Sequence, residues 1–179
     1  VHYDPLRFSK GDGVAPFSAV CAWLNGVGKV ASGAPPEPGV ERIVPVCYGG
    51  EFGPDLASLA EARGLSPEAV VGLHSRAVYC VRAVGFSPGF PYLDGLPEAL
   101  HMPRKASPRV SVPAGSVGIG GAHTGIYTLE TPGGWHLVGR TPLRLFRPEA
   151  PSPAWLKVGD QVRIRVISEE DFRTWKDQP

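Results

Sequence analysis

Gly85-Phe-Ser-Pro-Gly-Phe-Pro-Tyr92 opens a stretch, running to Pro148, in which glycine and proline recur beside aromatic and basic residues. Met102-Pro-Arg-Lys105, Ser107-Pro-Arg109, Val112-Pro-Ala-Gly-Ser116, Gly121-Ala-His-Thr-Gly-Ile-Tyr127, Pro132-Gly-Gly-Trp135 and Gly139-Arg-Thr-Pro142 follow in order. Glycine permits backbone conformations that other residues resist, and proline fixes φ and removes a donor. So much of both around Phe, Tyr, Trp, Arg and His specifies rigid loops between short strands. Rigid loops on a β scaffold are where binding sites are usually built, so this stretch is the candidate site.

Working outward, short strands are expected at 110–112, 118–120, 125–130, 136–139 and 143–146. Val162-Arg-Ile-Arg-Val-Ile167 alternates apolar and basic residues, which marks a strand with one buried face. Residues 152–160 lead into it through a turn, and Glu169 to Trp175 suits a short terminal helix. Upstream, Val78 to Val84 is too short and β-branched for a helix and reads as a strand. Before it come two helices. One has Pro54 near its start, Leu56, Leu59 and Ala60 on one face, and Gly64 as its stop. The other opens at Ser66-Pro67-Glu68, a capping hydroxyl, a first-position proline and an acid at the positive helix end. Val40 to Tyr48 reads as a further strand ending at Gly49-Gly50. Val14 to Val27 has helical apolar spacing closed by Gly26 and Gly28, and Pro35-Pro-Glu-Pro-Gly39 suits a linker. Val1-His-Tyr-Asp-Pro5 looks like the end of a strand, so an N-terminal piece is expected to be missing. The expected fold is mainly β, α+β overall: a closed or nearly closed barrel over 40–179 with two helices inserted early. Residues 1–39 are read as a strand–helix remnant of an α+β domain plus linker.

The chain has 179 residues, 23 glycines, 20 prolines and a net charge of +1. Near-neutral charge argues against a nucleic-acid platform. No apolar run approaches the roughly 18 residues of a membrane span. Cys21, Cys47 and Cys80 are separated and form no CxxC pair, so they read as reduced, mostly buried thiols of a cytoplasmic protein. There is no phosphate-binding GxxxxGK[ST] loop, no GxSxG elbow and no HExxH pair, and the histidines lack metal spacing.

Several polar residues remain. Arg104 and Arg109 flank a proline turn and could clamp a carboxylate or phosphate, or stand as solvated cations or strand-end ion pairs. His123, Thr124 and Tyr127 could present an acid/base group, a hydroxyl and a phenol to one ligand. Phe86 and Phe90, with Pro88 and Gly89 between them, and Tyr92 suit a pocket wall or the barrel core. Trp135 reads as an anchor of the core or a hinge. Glu51 is a candidate general base or a helix cap. His74 gains from a helix C-terminus if protonated, and it also lies just ahead of the strand feeding the Gly85–Phe90 loop.

At these motifs, together with Pro45-Val-Cys-Tyr-Gly-Gly-Glu-Phe-Gly-Pro-Asp-Leu56, Gly64-Leu-Ser-Pro-Glu68 and Leu73-His-Ser75, the chain resembles one family. It is the family of the 5-oxoprolinase B-type subunit, also described as allophanate hydrolase subunit 1 and as the sporulation kinase inhibitor KipI. The resemblance spans about residues 40–167 and implies a cyclophilin-like β barrel preceded by a small α+β domain. It departs from the family at His123, where glutamine is usual, and at Thr128, where proline is usual.

The activity implied is ATP-dependent opening of 5-oxoproline to glutamate with an A-like subunit and a C-like subunit of the allophanate hydrolase subunit 2 family. ATP with Mg is expected in that complex. In such a scheme Arg104 and Arg109 hold phosphate or the substrate carboxylate, and His123, Thr124 and Tyr127 orient the lactam or relay a proton. The alternatives are a KipI-like inhibitor of a histidine kinase, displaying Phe86 and Phe90 as an exposed apolar patch, and a urea carboxylase or allophanate hydrolase accessory. The Phe-His-Arg motif of prolyl isomerases is absent.

Overall fold

The computed structural model describes residues 15–30 and 39–176. The chain divides into two compact units, Val1–Glu37 and Pro38–Pro179. In the first, α1 (Pro16–Val30) continues past Gly26 and Gly28, where the sequence suggests a stop. The strand read at Val1–Pro5 and most of the Pro35–Gly39 linker lie outside the described residues.

The second unit begins with β1 (Glu41–Tyr48). The inserted helices follow as α2 (Leu56–Ala62) and α3 (Pro67–Arg76). Ser66 caps α3 by accepting from the Ala69 amide, and Pro67 occupies its first turn, as the local sequence requires. Next come β2 (Val78–Val84), β3 (Pro91–Asp94), β4 (Arg109–Val112), β5 (Ser116–Gly120) and β6 (His123–Ile126). The series ends with β7 (Thr131–Gly133), β8 (His136–Arg140), β9 (Gln161–Val166) and α4 (Glu169–Thr174).

Seven strands close a barrel in the order β1-β8-β5-β6-β3-β2-β9, while β4 and β7 form a separate two-stranded ribbon. Closure comes from β9, which returns parallel to β1 with Glu41 opposite Gln161 and Val46 opposite Val166. Alternation sorts the faces. Val44, Val46, Tyr79, Val81, Leu93, Val117, Ile119 and Val162 are buried in one apolar core. Closure removes the exposed sheet edges that short strands would otherwise leave.

Three readings of the sequence need correction. The strand expected over 125–130 is β6, which spans His123–Ile126; the Tyr127 amide still bonds the Ser116 carbonyl, but the Tyr127 carbonyl accepts from Gly115 instead of Ser116 and the ladder breaks there. Residues 143–146 form no strand, only a single bridge from Phe146 to Ala154. Cys47 is buried but Cys80 is exposed, and all three thiols are free. β3 and β7 lie hidden in motifs that read as loops, since Pro91 begins one and Pro132 sits inside the other. Proline is tolerated at a strand's first residue and in ribbon edges that need no donor there.

Candidate functional site

On β5 the inward positions carry Val117 and Ile119, which leaves Gly118 and Gly120 facing out of the barrel. A Cβ on Gly120 would lie 2.8 Å from the Trp135 ring, and one on Gly125 would lie 2.8 Å from Phe90. A Cβ on Gly133 would collide with the Tyr127 hydroxyl. The glycines of this stretch therefore make a bed into which three aromatic rings settle. Phe90 is its hub, edge-on to Tyr92 at 5.0 Å, Tyr127 at 5.2 Å and Trp135 at 5.6 Å between ring centroids. These offset arrangements suit the ring quadrupoles.

Above the bed lies a cavity of about 260 Å³, walled by Phe86, Tyr92, Tyr127 and Trp135 and bordered by Arg104 and Lys105. Phe86 forms the lip. It is 65% exposed and has a φ of +70°, a backbone region uncommon for a bulky side chain. The turn that holds it there is closed by Gly85 N–H to Phe90 O at 3.0 Å and by Thr128 Oγ1 donating to Pro88 O at 2.7 Å. The Arg104 guanidinium stands 5.8 Å from the centre of the Trp135 ring, and no carboxylate among the described residues pairs with it. Burial pushes the Tyr127 phenol up, with the Trp135 amide and Arg104 pulling more weakly the other way. Tyr127 is therefore protonated at neutral pH and able to donate.

Behind the cavity is a buried carboxylate. Asp55 Oδ1 accepts from Lys105 Nζ at 3.0 Å and from Arg109 Nη2 at 2.7 Å, and Oδ2 accepts from the Leu137 amide at 2.8 Å. Burial alone would push its carboxyl up, but the bonds from Arg109, Leu137 and Lys105 overcome this and hold it at about 2. The Lys105 amide in turn donates to Gly134 O at 2.8 Å, which joins the 103–109 segment to the Pro132-Gly-Gly turn.

Of the residues singled out in the sequence, Phe86, Phe90, Tyr92, Arg104 and Tyr127 meet at this cavity. Arg109 does not face it as a free clamp, because its charge is committed to Asp55. Pro88 and Gly89 shape the Phe86 turn, and Gly89 lies against Phe146.

His74 and Thr124 sit in the barrel interior instead, both fully buried. Thr124 Oγ1 donates to Gly118 O and accepts from His74 Nε2 at 2.9 Å, so His74 Nδ1 accepts from the Tyr48 hydroxyl at 2.6 Å. Burial lowers the His74 pKa to about 3, so the ring is neutral and gains nothing from a helix dipole. His123 lies on the barrel wall with Nδ1 2.8 Å from Asp94 Oδ1. Glu51 is exposed and paired with Arg173, and neither caps a helix nor reaches the cavity. Sequence reasoning misses Asp55 and Lys105 as parts of the site, and it reads Trp135 as an anchor rather than a cavity wall. The Pro54-Asp55-Leu56 order carries a signal, an acid at a helix start, but it points to capping rather than to Lys105 and Arg109.

The barrel thus carries on its outer face a glycine-bedded aromatic cavity with Arg104 at its rim. A family model for the carboxyltransferase domain, subdomain C and D, matches residues 1–156, and the chain belongs to that family. It is 53% identical over 135 residues to the 5-oxoprolinase B-type subunit of Bacillus subtilis, covering 75% of this chain and 56% of that protein. With the corresponding 5-oxoprolinase subunit of Escherichia coli O157:H7 it shares 59% identity over 121 residues, covering 68% and 56%. The chain thus spans little more than half the length of these curated relatives. The crystal structure of a conserved uncharacterized protein from Pyrococcus horikoshii superposes with a TM-score of 0.72 at 40% identity, covering 95% of this chain and 74% of that one. The urea carboxylase of Kluyveromyces lactis shares the fold at a TM-score of 0.65 and 18% identity, covering 87% of this chain and 16% of that one.

Proposed function

We propose that this chain provides the barrel of a B-type subunit of 5-oxoprolinase, which opens 5-oxoproline to glutamate with ATP in a complex with A-like and C-like subunits. The observation that carries the reading is the aromatic cavity bordered by Arg104, whose charge has no carboxylate partner among the described residues. 5-Oxoproline is a small flat ring with one carboxylate and one amide. Its ring suits the walls of Tyr92, Tyr127 and Trp135, its carboxylate suits the guanidinium, and its amide oxygen suits the Tyr127 phenol as donor. A cavity of about 260 Å³ falls below the range of about 300–1,000 Å³ usual for drug-sized ligands, which favours a small ring over a nucleotide.

ATP and Mg serve the assembled complex in this reading. A lactam carbonyl is a poor electrophile. Phosphorylation of its oxygen by ATP would make it attackable by water, while this chain orients the ring and excludes solvent from one face. The kinase-inhibitor alternative needs Phe86 and Phe90 displayed together, and Phe90 is 1% exposed. No helix among the described residues is long and apolar enough to cross a membrane.

The test is ATP turnover by the full-length subunit assembled with its A- and C-like partners, with and without 5-oxoproline. Turnover that requires 5-oxoproline and yields glutamate is the expected result. A verified complex that hydrolyses no ATP in response to 5-oxoproline would contradict it.

A further inference from the structure

Asp55 occupies the N-cap position of α2, yet its side chain makes no capping bond to that helix. Both carboxylate oxygens turn instead to the 103–109 segment and to β8. Resting on the reading of the cavity as the 5-oxoproline site, we propose that Asp55 is a positioning residue, which locks the 103–109 segment over the aromatic bed and so fixes Arg104 at the rim.

The geometry is a three-point anchor. Lys105 and Arg109 bracket the segment, and each gives a charged hydrogen bond to the same oxygen, Oδ1. The second oxygen is tied to the Leu137 amide of β8, so the anchor is referenced to the barrel rather than to a loop. Arg104 precedes Lys105 directly, and its guanidinium position over Trp135 depends on where Lys105 is held. Charge-assisted bonds to a 4% exposed carboxylate are stronger than exposed ones.

An electrostatic alternative predicts the opposite sign. If Asp55 merely shielded two cations, its neutralisation would free Lys105 and Arg109 and tighten the binding of an anionic substrate. Asp55→Asn separates the two. It preserves shape but places an amide donor against either the cations or the Leu137 N–H.

In the assembled complex, Asp55→Asn is expected to raise the KM for 5-oxoproline about tenfold or more with kcat changed less than about threefold. Amide hydrogen exchange over 103–109 is expected to accelerate in the same variant. An unchanged or lower KM, a loss confined to kcat, or unchanged exchange in that segment would overturn the proposal. Lys105→Gln serves if Asp55→Asn fails to assemble, since it leaves the Arg109 and Leu137 bonds in place. It is expected to raise KM in the same direction and loosen 104–106, and unchanged exchange there overturns the proposal. A wild-type complex with no response to 5-oxoproline would sink the functional reading alone, while the exchange comparison would still decide the role of Asp55.

Discussion

At the scale of single residues, burial gives two polar side chains different tasks from those their sequence positions advertise. His74 has the spacing of a helix-end cation, but the barrel closes over it and leaves it neutral between Tyr48 and Thr124. Its folded pKa of about 3 lies below the value of about 6.5 expected when unfolded, so between these values only the unfolded chain takes up the proton. Stability is therefore full above about pH 6.5 and falls as pH drops toward 3. The Asp55 window lies lower, between its ordinary range and about 2, and is separable. His74→Leu is expected to cost about 1–3 kcal/mol at pH 7, because two buried hydroxyls lose their partner, and to flatten the loss between pH 7 and 4.5. Urea unfolding of both proteins at the two pH values tests this. An equally steep acid loss in the variant would exclude His74 as its source.

At the scale of elements, the strands of the site are built around missing side chains. Gly118 and Gly120 on β5, Gly125 on β6 and Gly133 on β7 leave the volume that Trp135, Phe90 and Tyr127 fill. Gly120→Ala would put a methyl group 2.8 Å from the Trp135 ring and drive that ring toward the cavity. A cost of about 1–3 kcal/mol is expected, with weaker 5-oxoproline binding by the assembled complex. The urea midpoint and a calorimetric titration measure the two effects, and no change in either would contradict the packing account.

The same elements show why legibility is uneven. Ser66-Pro67-Glu68 announces α3 because capping chemistry is local, and the alternation from Val162 announces β9 because one face is buried. β3 pairs with its neighbour β2 as well as with β6, and β7 pairs with β4, but the proline in each masks it locally. The cavity's aromatic and arginine members stand inside the glycine- and proline-rich motifs that mark the site. Asp55 is illegible because its partners, Lys105 and Arg109, lie 50 and 54 residues away.

At the scale of the whole molecule, closure of β9 onto β1 makes a rigid frame, and the ribbon of β4 and β7 with the 103–109 segment roofs one outer face of it. In the proposed reading the frame supplies walls, Tyr127 a protonated donor and Arg104 the charge, while ATP and Mg serve the assembled complex. The central claim is that Arg104 holds the carboxylate of 5-oxoproline in this cavity. Its most direct test is steady-state kinetics of the assembled complex carrying Arg104→Ala. The account predicts a KM for 5-oxoproline raised about tenfold or more, the loss expected for one charged hydrogen-bonding partner. An Arg104→Ala complex that opens 5-oxoproline with unaltered kcat/KM would contradict it.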